Sequence, residues 1–517
     1  MLVTKSALVL ATGISAAVAQ FCEHQWDGPF AENEVDGVPY VRARQNTAPP
    51  PLDIQPLIIN GPSENRIDLI FFGDGYTEEE KGKFFDDAMS LATEMTSGQT
   101  FADHLPLMNY WAGFSASKES GVGTNGQPLD TVYGLYRPGT ELRGVYYAKP
   151  EVARAACQST DACDYPMLLG NDPFYGGLGG TFTVVTASPH NGAAVLRHEL
   201  GHSIIGVGEE YDGGQVYRGV NSARTPSSVP WKHWYTSPST EPKVQRSNMP
   251  IQAYPWTMLN VSSAWSADFT SAGVYDNMEL QFSVSGVLAS SDLRVELDGK
   301  DLGWEVNEVV GMDRWIYNMR FPQALSPGWH TLTFALQNAE REGTAQLCNL
   351  EVLEYGPENQ FTFEEDFHGI FPTYSATNQT TYRPTNNKCL MRTMHSVDFC
   401  DACIEGLWYS LLGPLSLIDN VTQVPEPSPG MSTEVTLDLL PLAQFREVAR
   451  PTKESYEILW FVGDGLTVVE EYTNSTTAKL PKSYESFEVE VRFHTEQVRR
   501  DPDGLLVTRE KFDLVRE

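Results

Sequence analysis

Basic residues are scarce in this sequence. Its 517 residues hold 36 Lys and Arg against 68 Asp and Glu, a formal net charge of −32. Polyanion binding needs clustered cations, so a non-specific DNA or RNA binder is excluded. An anionic membrane surface is disfavoured on the same ground. Long apolar runs are missing beyond the first twenty residues, which leaves no stretch of membrane-spanning length there. The glycines of Tyr175–Gly180 are followed by no G-K-[ST], so they are not a phosphate-binding loop. The many carboxylates form no EF-hand spacing, and no repeat recurs at a solenoid period. What remains is ordinary globular composition, 41% apolar and 11% aromatic. The length calls for two to four domains.

Residues 1–20, MLVTKSALVLATGISAAVAQ, combine Lys5, an apolar run and the small-x-small triplet Ala17-Val18-Ala19. That is the form of a secretory signal, here 1–19. Thr12, Gly13 and Ser15 interrupt the run, and it is too short to span a membrane. A secreted, extracellular chain is therefore expected. Its seven cysteines, Cys22, Cys157, Cys163, Cys348, Cys389, Cys400 and Cys403, become disulfide candidates. The odd number leaves at least one thiol free or paired with another chain. Cys157 and Cys163 are close enough for a local loop closure. Cys400-Asp-Ala-Cys403 reads as a zinc knuckle, as a redox pair or, most simply, as part of a structural bridge involving Cys389. Sequons at Asn260, Asn378, Asn420 and Asn474 are N-glycosylation candidates.

After a low-hydrophobicity segment over 20–51, ending in Ala48-Pro49-Pro50-Pro51, the chain turns regular. RIDLIFF (66–72) predicts a buried strand. Thr77-Glu78-Glu79-Glu80 has the capping-box form, and Phe84, Ala88, Leu91 and Met95 recur behind it at helical spacing. Tyr165–Leu169 and Thr181–Thr186 predict further strands. In 266–355 the pattern becomes period-two, at Met278–Val284, Leu293–Leu297 and Thr331–Leu336, with a hairpin signal at Asp298-Gly299. These predict a small β-sandwich. A composition break at Pro425–Gly430 precedes more alternation at Ser432–Leu440, Glu457–Val462 and Phe487–Phe493, and a second sandwich is expected over 430–517. The fold class expected is α+β, with an α/β domain over 52–265 and 356–422, the first sandwich inserted in it and the second after it.

The chemistry lies in Ala193–Tyr211, AAVLRHELGHSIIGVGEEY. His198-Glu199-Leu200-Gly201-His202 is an H-E-x-x-H arrangement. On a helix, residues four apart lie about 40° apart, so both imidazoles can grip one metal ion while Glu199 faces its water. Leu196, Leu200 and Ile204 share another face, suited to a core. Zinc would acidify that water and polarise a scissile carbonyl, and Glu199 would act as general base and then acid. A catalytic zinc needs a third protein ligand. Glu209 and Glu210 are the candidates, with Asp212 behind them. Continued as a helix, the chain would bring Glu209 within about 20° of His202 and leave Glu210 about 80° away. Gly206 and Gly208 are expected to break that helix and to suit a turn that swings a ligand back.

HELGHSIIGVGEEYD resembles the zinc site of the IgA-peptidase family of metallopeptidases, written as H-E-x-G-H followed by Asp-Glu-Tyr. FGDGYT (72–77), NDPFYGGLGG (171–180), PWKHW (230–234), YRP (382–384), CLMR (389–392) and FCDAC (399–403) are similar to further family motifs. The resemblance spans about 52–265 and 356–415. It implies a metzincin-like zinc-peptidase domain in which a methionine turn underlies the metal, with Met391 the candidate and an ordinary core methionine the alternative. Tyr374 or Tyr382 could supply a phenol to an oxyanion. The family's Asp-Glu-Tyr is Glu209-Glu210-Tyr211 here, so the third ligand stays open between the two carboxylates: the metzincin position falls on Glu209, the family's own Glu on Glu210. The glycines before Thr181–Thr186 suit either an edge strand that pairs with a bound peptide or a tight turn. The function implied is a secreted zinc-dependent endopeptidase acting on protein or peptide, with one zinc ion. The alternative is a catalytically silent adhesion or carbohydrate-binding protein on the same scaffold, with glycan contact through the β-sandwiches.

Overall fold

Strand β2 (Ile67–Asp74) is buried at every position, because it has a parallel neighbour on each side and both sheet faces are covered. The computed structural model describes residues 47–97, 99–139, 141–213, 219–237, 243–394, 396–427, 431–450, 452–463, 465 and 467–515. The expected signal peptide, the N-terminal segment before residue 47 and Cys22 lie outside the described residues. With β1 (Asp53–Ile58), β3 (Met108–Phe114), β4 (Tyr165–Gly170), β5 (Gly177–Leu178) and β6 (Thr183–Thr186), β2 forms a six-stranded sheet ordered β1-β3-β2-β4-β6-β5. The four inner strands are parallel, and an antiparallel strand closes each edge. The capping box at Thr77 and Glu80 forms and leads into α1 (Lys81–Met95), whose buried face is Phe84, Ala88, Leu91, Ala92 and Met95. Helix α2 (Pro150–Cys157) lies between β3 and β4, and Cys157 is bridged to Cys163. Helix α3 (Gly192–Ile204) follows β6 and packs beside α1.

A β-sandwich interrupts this unit. One sheet sets Gln346–Tyr355 between Asn277–Ser285 and the pair Ser247–Ala253 and Thr257–Met258, with Trp315–Phe321 outside Asn277–Ser285. The other joins Trp265–Ser271, Gly328–Leu336, Leu293–Leu297 and Lys300–Asp301. Asp298 and Gly299 both take positive φ in the two-residue hairpin between the last two, as their sequence signalled. The first sheet thus takes in residues from 247 onward. Asn277–Ser285 is buried on both faces rather than alternating, because on its outer face Glu279 lies against Asn386 and Arg392 of the first domain and Ser283 is held by Asn349 and Arg314.

Helix α4 (Asp401–Leu412) returns the chain to the first core and runs into a second pair of sheets, Ile418–Pro425, Ser432–Leu439 and Thr477–Pro481 facing Thr467–Val468, Glu454–Val462, Ser486–Thr495 and Val507–Asp513. Ile418–Pro425 already pairs with Ser432–Leu439, so the proline-rich 425–430 stretch joins two strands of one sheet. Trp408 packs on Phe493 at 5.1 Å, making the apolar interior continuous with that of the first sheet. The architecture is broadly α+β, with many sheets and few helices. No helix among the described residues is long and apolar enough to cross a membrane.

Phe282 sits at the centre of the inserted sandwich, 0% exposed, with the rings of Phe334 at 5.1 Å and Trp304 at 5.8 Å. Phe282→Ala is expected to lose about 3–5 kcal/mol of stability, whereas Val309→Ser, at a side chain 78% exposed, stays within about 0.5 kcal/mol of wild type. Urea unfolding followed by near-ultraviolet circular dichroism checks both, and equal midpoints for the two variants would rule out this core.

Candidate functional site

Helix α3 is buried along almost its whole length. Leu196, Leu200 and Ile204 enter the core with α1, and Gly201 lets the helix settle onto the segment after the inserted sandwich. A Cβ at Gly201 would stand 3.0 Å from the Met391 sulfur and 3.1 Å from Phe399. Met391 is thus fully buried directly beneath the His-bearing turn. The flanking Leu390 accepts a hydrogen bond through its carbonyl from His198 Nδ1 at 3.1 Å, and the Val207 carbonyl accepts one from His202 Nδ1 at 3.4 Å. With the proton on Nδ1, Nε2 of each ring would be the nitrogen able to ligate a metal. The ring of Tyr211 stacks on His198 at 6.2 Å.

Both Nε2 atoms point at the same carboxylate. Helix α3 ends at Ile204 and the chain is already extended at Ile205, before either glycine, so Glu209 arrives by a turn and not by helical continuation. Its oxygens lie 3.0 Å from His202 Nε2 and 3.3 Å from His198 Nε2. Burial opposes charge on His198, but the adjacent Glu209 carboxylate overrides it and pushes His198 up to about 9. Burial likewise works against ionising Glu209, yet His202 and His198 hold it well below the usual carboxylate range. Two imidazole nitrogens and a carboxylate converging in a buried pocket make a donor set that could share a metal ion. His198, His202 and Glu209 form one of two groups among the described residues able to hold a metal ion, their ligand atoms all within 4.8 Å of one another.

Glu199 flanks this group, with its Oε2 buried and without a hydrogen-bond partner among the described residues. It lies against the edge strand, where a Cβ at Gly177 would come within 3.4 Å of Glu199 Cγ and 2.2 Å of Val195. Only glycine permits that approach. The predicted strand 181–186 is Thr183–Thr186 and is not an edge, since β5 covers it. Gly177 in turn donates its N–H to the Arg143 carbonyl at 3.1 Å. Strand addition of a peptide to 181–186 is thereby closed off.

Glu210 turns the other way. Its Oε1 accepts from Asn221 Nδ2 at 2.8 Å and lies 3.9 Å from the Cys403 sulfur. Cys389, Cys400 and Cys403 are unbridged, so the expected structural bridge through Cys389 is not formed. Tyr374 directs its hydroxyl to the Ser247 carbonyl at 2.8 Å, and burial pushes that phenol up to about 12. Tyr382 pairs with Pro372 in the hairpin formed by Phe371–Tyr374 and Thr380–Arg383. Of the sequon asparagines, Asn378, Asn420 and Asn474 are exposed and Asn260 is half-buried.

Among the residues that build the site, Tyr254, Asp313 and Glu351 carried no signal in the sequence, and Arg392 entered only as the end of CLMR. Arg392 pairs with Asp212 at 2.6 Å and donates to the Glu210 carbonyl. The Tyr254 hydroxyl lies 3.0 Å from the Asp212 carbonyl and 3.3 Å from Oε1 of Glu351 in the inserted sandwich. Burial, with the Asp212 charge, pushes Glu351 up to about 8. Asp313, also from the insert, grips the start of α3. One oxygen accepts from Ser188 Oγ and Asn191 Nδ2, both at 2.8 Å, and the other from the Tyr175 N–H at 2.6 Å.

Residues 56–252 match the family model described as IgA Peptidase M64, which bears out the resemblance to the IgA-peptidase family. The matched segment contains α3, Glu209 and Glu210. No curated protein gives a significant match to the chain. Among solved structures, a family 35 carbohydrate binding module from an environmental isolate aligns at 12% identity and a TM-score of 0.16, over 22% of this chain and 85% of that one. A β-glucosidase from Kluyveromyces marxianus aligns at 7% identity and a TM-score of 0.15, over 89% of this chain and 61% of that one. Neither alignment bears on the fold or the chemistry.

Asp313→Ala removes the acceptor shared by Ser188, Asn191 and Tyr175 and is expected to cost about 1–3 kcal/mol. The loss is read by denaturant unfolding and by faster hydrogen exchange at the first turn of α3. Unchanged exchange there would mean that the clamp contributes nothing.

Proposed function

We propose that this chain, a peptidase-family sequence over residues 56–252, is a secreted zinc-dependent endopeptidase on a metzincin-like scaffold, with Glu199 as general base. One observation carries the reading: Nε2 of His198, Nε2 of His202 and the Glu209 carboxylate converge on one point, each imidazole fixed by a carbonyl on its far side. Those three residues would hold the metal. A zinc ion bound there would supply Lewis acidity toward a peptide carbonyl and toward water.

The chain's own residues do the rest. Glu199, unpaired at Oε2, accepts the proton of the attacking water and returns it to the leaving amine nitrogen. The carbonyls of Leu390 and Val207 hold both rings in the ligating tautomer. Met391 supports the helix from below. The half-buried setting of Glu199 keeps the proton it carries away from bulk solvent. The signal-like N-terminus and the exposed sequons support the secreted, glycosylated part of this reading.

Glu199→Gln is expected to lower kcat on an unfolded protein substrate by about 10²–10⁴-fold while zinc content stays unchanged. His202→Ala is expected to lose that zinc. Hydrolysis assays paired with metal analysis separate the two. Wild type that holds zinc at His198 and His202 yet cleaves no protein would sink the endopeptidase reading in favour of a silent binding scaffold, and activity that survives a chelator would sink the metal.

A further inference from the structure

Behind the His pair lies a second set of donors, which the peptidase chemistry does not use. Cys389, Cys400, Cys403 and Glu210 are all fully buried, and their ligand atoms lie within 4.8 Å of one another. The Cys403 sulfur is 3.7 Å from that of Cys389 and 3.6 Å from that of Cys400. A tetrahedral zinc with bonds of about 2.3 Å to sulfur sets its sulfurs about 3.8 Å apart. The Cys400 N–H donates to the Cys389 sulfur at 3.3 Å, and Asn221 holds one Glu210 oxygen at 2.8 Å. The other, Oε2, is buried with no hydrogen-bond partner among the described residues, although the side chain is 1% exposed. Cys400 caps the twelve-residue helix α4, and the charges of His368 and Arg383 also bear on the cluster.

We propose that Cys389, Cys400, Cys403 and Glu210 form a second, structural zinc site, closed and four-coordinate. A disulfide accounts for the cluster less well. It would join two sulfurs, leave the third as a weak thiol donor beside Glu210, and leave Glu210 Oε2 buried with no hydrogen-bond partner among the described residues, at the usual cost of an unsatisfied buried polar group. One divalent ion satisfies all four, and thiolate-rich sites with a single oxygen donor favour zinc. The ion would tie together three elements that meet under the first site. These are the loop that carries Glu209, the 389–392 turn that carries Met391 and the Leu390 carbonyl, and the start of α4. The site goes beyond the peptidase reading and does not depend on it.

The test uses the full chain purified with zinc and measures metal per chain, together with the cysteine state under denaturing, non-reducing alkylation. Wild type is expected to hold two zinc ions, the His198→Ala/His202→Ala variant one, and that retained ion should exchange for Co2+ with a thiolate charge-transfer band. Cys389, Cys400 and Cys403 should all be alkylated once the metal is stripped. A His variant that holds no zinc, a cobalt form without the thiolate band, or peptides in which two of the three cysteines are bridged would each overturn the proposal. One zinc in wild type that survives in the His variant with a thiolate band would instead uphold this site and count against the catalytic one. Because the His variant reads the cluster directly, the proposal stays testable even where Cys403→Ser fails to fold.

Discussion

Glu209, Glu210 and Asp212 lie within four residues of one another and are 3%, 1% and 1% exposed. A carboxylate in a protein interior must find a cation or a set of donors, because the cost of leaving it unpaired exceeds what any single packing contact returns. This short loop therefore dictates what surrounds it. Glu209 takes the two imidazoles of α3, Glu210 faces Asn221 and three cysteines, and Asp212 takes Arg392. Successive side chains along an extended segment point to opposite sides, so neighbouring acids reach different partners. The partners come from elements far apart in sequence, and their convergence fixes the geometry of the site.

The two β-sandwiches belong to this arrangement and do not hang from it. The inserted one supplies Asp313 to the start of α3 and Glu351 to the polar cluster around Asp212 and Tyr254. The C-terminal one packs on α4, whose Glu405 accepts from Trp234 Nε1 and pairs with His233. The backbone N–H of Arg499 donates to the other oxygen of Glu405. Glu405 is 5% exposed, so its charge too is settled by residues from both halves of the chain.

Where local pattern decides structure, the sequence was readable. The continuous run RIDLIFF became an inner parallel strand, the capping box formed at Thr77, and Phe84, Ala88, Leu91 and Met95 faced the core at helical spacing. H-E-x-x-H puts both histidines on one face because four residues make slightly more than one turn. What local pattern does not encode is which strands are neighbours. Nothing in TVVT says that Gly177–Leu178 covers it, so its place in the sheet stays open in the sequence. Nor does spacing reveal that Glu210 faces residues 389–403, or that Asp313 meets Asn191. The strands from Ser247 to Met258 were missed as members of the inserted sandwich because they are interrupted by prolines and lack a clean alternation. Sulfur count and spacing likewise do not reveal that Glu210 arrives beside Cys389, Cys400 and Cys403.

The hydrogen bond from His198 to the Leu390 carbonyl spans 192 positions of sequence, with an entire β-sandwich between its ends. A nascent chain emerging in order has both histidines long before the carbonyl that orients one of them, and before Met391 is there to support the helix. Closure of so long a loop comes late in folding, after the intervening units have formed. The ligating geometry thus does not exist while the chain is still being made, and a truncated translation product carries the motif without the site. Under the proposed peptidase reading, the order of synthesis itself would keep unfinished copies inactive.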